Sequence, residues 1–117
     1  MTRVDRTMVT RRLAVISRYV GRLQPHTALT LDEYLADPLR QDAIERALQV
    51  SLEATLDICK HCLRVLGVPR PKDAVDVILA VGTARVIPEA LAQALAPAAS
   101  LRNRLVHEYD DLDHATR

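Results

Sequence analysis

Apolar residues recur along this chain at helical spacing. Val9, Leu13, Ile16, Val20 and Leu23 stand four, three, four and three positions apart, which is one stripe of a helix over residues 4–23. Met8, Val15 and Tyr19 widen the stripe, and Gly21 and Pro25 bring it to an end. Thr30-Leu31-Asp32-Glu33 has the form of a capping box, so a short helix through Tyr34 and Leu35 is expected. Asp37-Pro38 supplies an N-cap followed by proline at the first helical position. The longest helix is predicted from there, over residues 38–66. Its stripe is Ile44, Ala47, Leu48, Ser51, Leu52, Thr55, Ile58, Cys62 and Val65. Gly67 suits the position after the last turn, and Pro69 and Pro71 prevent resumption.

Asp73 can cap a further helix through Ala74, Val77, Ile78 and Val81 that ends near Gly82. Pro88 opens a short helix over residues 89–96, which Pro97 is expected to break or kink. A last helix is predicted over residues 98–111. No strand pattern, internal repeat or dividing linker interrupts this series. The pattern therefore predicts one all-α domain, an up-and-down bundle of two long helices with shorter ones laid against them.

Composition supports that class. Hydrophobic residues make up 49% of the 117, but only 3% are aromatic, so the apolar mass is Ala, Leu, Val and Ile. The formal charge of +1 excludes a generic electrostatic nucleic-acid binder. The basic residues are unevenly placed, with Arg3, Arg6, Arg11, Arg12, Arg18 and Arg22 in the N-terminal stretch. Such a row reads as a solvated face or as a surface turned to RNA or a partner. No apolar run reaches membrane-span length, and no apolar leader follows Met1, so a cytoplasmic protein without membrane attachment is expected. Cys59-Lys60-His61-Cys62 lacks a second pair of ligands; the cysteines read as reduced core residues, His61 as a helix-surface residue, and no metal is expected.

The chemistry-bearing stretch is Ser100-Leu101-Arg102-Asn103-Arg104-Leu105-Val106-His107-Glu108-Tyr109. On an ideal helix with Arg102 at zero, Ala98, Leu101, Leu105 and Leu112 fall at about 260–320° and define the expected buried face. Asn103 and His107, four apart, fall at about 100–140° and are expected to face away from it. Arg102 and Tyr109 share the edge near zero. Arg102 offers a planar, permanently charged fork for phosphate. His107 can take or give a proton near neutrality, and Asn103 can orient an imidazole or hold a substrate oxygen. Together these residues can cleave RNA without a metal or other cofactor: a base activates the ribose 2′-hydroxyl, an acid protonates the leaving oxygen, and a cation stabilises the transition-state charge. One histidine cannot easily serve as acid and base in a single step. A two-fold dimer would supply two. Asp110, Asp111 and Asp113 read as a polar helix end; either they or Glu53 could pair with Arg102 or Arg104.

Arg102-Asn103-Arg104-Leu105-Val106-His107 resembles the Arg-Asn-x-x-x-His signature of HEPN domains. With Tyr109 two residues on, it resembles the HepT toxins within that group. Residues 44–54 are similar to the family's long helix, and residues 82–89 to the turn before its motif helix. The resemblance implies a single HEPN-like domain over residues 1–117; one departure is that family members usually continue past the motif with another helix, whereas this sequence stops at Arg117. It also implies a homodimer and metal-independent endoribonuclease activity in a cleft between protomers. Arg102 and His107 would be catalytic and Asn103 supporting. The implied partners are RNA and an MntA-like nucleotidyltransferase antitoxin that transfers AMP from ATP to Tyr109, as in type VII toxin–antitoxin systems. The alternative is a non-catalytic helical partner of such a nucleotidyltransferase.

Overall fold

A computed structural model describes residues 3–115, with side chains described as far as Arg104. Among these residues there are five α-helices and no strand: α1 (Arg6–Leu23), α2 (Leu31–Ala36), α3 (Pro38–Val65), α4 (Ala74–Thr83) and α5 (Glu89–Ala115). A 3₁₀ turn at Gln24–His26 follows α1. The chain is an all-α bundle, as the periodicity predicts. No described helix is long and apolar enough to cross a membrane.

The local signals at helix ends act as expected. Thr30 Oγ1 accepts from the Glu33 N–H at 3.2 Å, and Glu33 Oε1 accepts from the Thr30 N–H at 3.3 Å, which completes the capping box of α2. Asp37 caps α3 by accepting from the Arg40 N–H at 3.2 Å, with Pro38 in the first turn. Asp73 caps α4 by accepting from the Val75 N–H at 3.2 Å. At the end of α3, Gly67 takes a φ of 71°. This lets the Val68 N–H reach the Leu63 carbonyl at 2.9 Å and the Gly67 N–H reach Arg64 at 3.1 Å.

α3 is the central element and packs against all four other helices. Its burial is wider than the single stripe anticipated. Leu56 and Leu63, which that stripe omits, are fully buried and form the core with Val77, Ile78 and Val81 of α4 and Ala92 and Ala99 of α5. A helix with neighbours on several sides buries more than one face, so one stripe cannot describe it. α1 differs in the opposite sense. None of its residues is fully buried, and Leu13 and Val20 of its predicted stripe are 54% and 43% exposed. Its half-buried residues include Met8, Arg12, Val15, Ile16 and Tyr19. Two polar contacts tie it to α3: Arg12 Nε to Asp57 Oδ2 at 2.9 Å, and the Asp5 N–H donating to His61 Nε2 at 2.8 Å.

Two expectations for the C-terminal third are corrected. Pro97 does not end a helix; α5 runs through it for 27 residues. An interior proline removes one helical hydrogen bond at a cost of about 3 kcal/mol. Here Pro97 is exposed, while Ala92, Ala96 and Ala99 on both sides of it are buried, and their packing keeps the helix continuous. The buried face of α5 is also not the predicted one. Ala92, Ala96 and Ala99 lie at about 60–120° when Arg102 is set to zero. Ala98 and Leu101 are only half-buried, and the side chains of Leu105 and Leu112 lie outside the described residues.

The alanine face allows α4 and α5 to approach closely at Gly82. A Cβ built on Gly82 would meet Ala92 Cβ at 2.5 Å and Glu89 Cα at 3.5 Å. Gly82→Ala should therefore force the helices apart and destabilise the fold by about 1–3 kcal/mol, lowering Tm by roughly 5–15 °C. Thermal unfolding followed by circular dichroism checks this, and Ala92→Gly in the same chain should restore part of the loss.

Candidate active site

The site is built where α5 crosses α3. Leu56 and Ala99 belong to the same buried cluster, and that packing sets the distance between the two helices one turn before the motif. Arg102 follows Ala99 by three positions and Glu53 precedes Leu56 by three, so both reach the edge of the same junction. Arg102 Nε donates to Glu53 Oε1, and its NH2 group forms an ion pair with the same oxygen. Arg102 NH1 donates to Asn103 Oδ1 at 2.9 Å. The Arg102 and Glu53 side chains are 26% and 40% exposed, so the pair is screened by water on one side and packed on the other.

This geometry assigns the guanidinium's donors. A guanidinium has five N–H groups. Among the described residues, three are directed at Glu53 and Asn103 and two have no partner. Arg102 is therefore oriented and partly neutralised by groups of its own chain. Of the two carboxylate sources left open by the sequence, Glu53 holds Arg102; the side chains of Asp110, Asp111 and Asp113 lie outside the described residues.

Asn103 does not face away from the core as the helical wheel predicted. It is half-buried and lies at about 100°, on the side of Ala92, Ala96 and Ala99. The expected face runs instead through Ala98, Leu101, Leu105 and Leu112. In a close helix crossing the small residues occupy the contact. Asn103 thus supports Arg102 directly. His107 stands one turn further along α5 and Tyr109 two residues beyond it, and both side chains lie outside the described residues.

Two other sequence readings meet the structure here. Cys59 and Cys62 are half-buried free thiols. Burial pushes the Cys59 thiol up to about 11, with a smaller contribution from Cys62, so the thiolate needed for metal ligation is disfavoured at neutral pH. Among the described residues no group of three or more His, Cys, Asp or Glu side chains could hold a metal ion. His61 is not a surface residue; it is 4% exposed and contacts both α1 and Arg64. Sequence reasoning also passed over the basic residues around it. Their signal was available: Glu53, Asp57, Lys60 and Arg64 are spaced four, three and four apart, which puts them on one face of α3.

Comparison with known proteins identifies the family. The family described as ribonuclease HepT-like matches residues 16–116. The chain is 35% identical over 113 residues to a protein of Aphanizomenon flos-aquae (strain 2012/KM1/D3) named tRNA nuclease HepT; the match covers 97% of this chain and 77% of that protein. The matched region spans the long helix carrying Glu53 and the helix carrying Arg102, Asn103, His107 and Tyr109. This chain belongs to the HepT-like ribonuclease family.

Proposed function

We propose that this protein is a metal-independent endoribonuclease toxin of a type VII toxin–antitoxin system, acting in the cytoplasm on RNA. The carrying observation is the prepared cation: Arg102 is oriented by Glu53 and Asn103, and among the described residues its other two donors have no partner. Family membership supports the reaction class, and the name of the cyanobacterial relative makes tRNA the first substrate to test.

The reaction follows from the residue types. A base takes the proton from a ribose 2′-hydroxyl, and the oxygen attacks the adjacent phosphorus. The new 2′-O–P bond forms as the P–O5′ bond breaks, and an acid supplies a proton to the departing 5′-oxygen. The products are a 2′,3′-cyclic phosphate and a 5′-hydroxyl. Arg102 stabilises the negative charge on the non-bridging oxygens, and His107 serves in proton transfer. Two such transfers in one step need two groups, which a homodimer pairing two motif helices around one cleft would supply.

Tyr109 is the proposed control point. Its hydroxyl oxygen would attack the α-phosphorus of ATP in the nucleotidyltransferase antitoxin, releasing pyrophosphate and leaving AMP on the tyrosine. The added phosphate would compete for the free donors of Arg102 and block RNA.

Purified protein should cleave tRNA in the presence of EDTA, and His107→Ala should lower kcat by roughly 10²–10⁴-fold. Cleavage that requires added metal, or an unchanged rate in the variant, contradicts the mechanism. Incubation with ATP and the nucleotidyltransferase should add the mass of an adenylyl group, and Tyr109→Phe should abolish the gain. A chain that binds the nucleotidyltransferase but neither cleaves RNA nor affects growth would be the non-catalytic partner instead.

A further inference from the structure

A cavity of about 480 Å³ lies between α1 and α3, away from the Arg102 site. Arg12, Lys60, Arg64 and Arg70 line it, with Asp57 and the buried ring of His61. Four basic side chains face one carboxylate there, in a chain whose overall charge is only +1. Asp57 is engaged by Arg12 at 2.9 Å. Among the described residues, Lys60, Arg64 and Arg70 have no carboxylate within ion-pair distance. A shallower depression lined by Lys60, Arg70 and Lys72 extends the basic surface.

His61 gives the cavity a chemical preference. Its Nε2 accepts from the Asp5 N–H at 2.8 Å, and its Nδ1 stands 3.1 Å from Arg64 NH2. Both neighbours are donors only, and a neutral imidazole offers one donor and one acceptor. In either tautomer a ring N–H is set against another donor. With Nε2 accepting the shorter bond, the proton falls on Nδ1, and one anionic oxygen placed beside Nδ1 and Arg64 NH2 would accept from both.

We infer that this cavity is a second phosphate-binding site, which takes a backbone phosphate of the RNA substrate away from the scissile bond. The inference rests on the ribonuclease reading above. Glu53, Asp57, Lys60 and Arg64 share one face of α3, so the cavity and the Arg102 site lie on a common track. Eleven residues separate Glu53 from Arg64, about 16 Å along the helix. An RNA strand held by Arg102 therefore reaches the cavity with a phosphate a few nucleotides away. The site gives a nearly neutral chain a local excess of cations, Arg12, Lys60, Arg64 and Arg70 against Asp57, with which to hold a polyanion.

The test compares Lys60→Gln/Arg70→Gln with Arg40→Gln, an exchange near the start of α3 on another face. For tRNA cleavage, the double variant should raise KM at least fivefold, with the loss falling on KM and not on kcat. Binding is measured with the His107→Ala chain, which keeps the RNA intact, or with the parent chain if it cleaves nothing. The slope of log affinity against log salt should fall by about one to two, at ~0.7–0.9 per phosphate contact. The imidazole ¹⁵N signals of His61 should shift as tRNA is added. An unchanged KM and salt slope, an equal effect of Arg40→Gln, or a His61 ring indifferent to RNA would overturn the inference, as would lost binding to the nucleotidyltransferase with RNA affinity intact. A chain that does not cleave yet binds tRNA through Lys60 and Arg70 would refute the ribonuclease reading and leave this site standing.

Discussion

The contact on which the site depends is the ion pair between Arg102 of α5 and Glu53 of α3. Each side chain is long and flexible, and an exposed pair of this kind contributes little, about 0–1 kcal/mol. This one sits at the edge of a packed junction, where the core cluster of Leu56 and Ala99 has already fixed the separation of the helices. Helix packing thereby supplies the orientation that the ion pair alone would not hold. The carboxylate in turn fixes the direction of the guanidinium, and Asn103 holds its other end. Prearranged charge of this kind is worth more to a reaction than a mobile cation, because no reorganisation is needed when charge develops.

The same packing accounts for the chain's unusual composition. With almost no aromatic residues, the core is filled by Leu, Ile and Val on α3 and α4 against an alanine face on α5. Alanine and Gly82 permit a close crossing, and closeness replaces bulk. α5 can then run through Pro97 without a break, so the motif belongs to a helix anchored well before it. An isolated motif helix starting after Pro97 would have had less to hold it against α3.

Much of the fold is legible in the sequence, because helix boundaries are set by short-range chemistry. The capping box at Thr30, the Asp37-Pro38 start, the Asp73 cap and Gly67 each act within a turn of their own position. The errors arise where distant residues decide the outcome. Pro97 reads as a breaker until the buried alanines around it are known. Leu101 outweighs Ala99 on a wheel, yet a tight crossing favours the smaller side chain. His61 reads as exposed from α3 alone and is covered by the N-terminus of α1. In the site, Arg102 and Asn103 are adjacent in sequence and were recognisable together. Glu53, 49 positions away from Arg102, was one of several carboxylates that could have paired with it.

Glu53 acts through Arg102. A double-mutant cycle on tRNA cleavage tests it, with Glu53→Gln, Arg102→Ala and the combined variant. Arg102→Ala should lower kcat by roughly 10²–10³-fold. Glu53→Gln should lower kcat by about tenfold without raising KM, since it releases the guanidinium from a competing charge but loses its orientation. Once Arg102 is removed, Glu53→Gln should have no further effect. Losses that simply multiply in the combined variant, or a Glu53→Gln chain with unaltered kcat, would contradict the account.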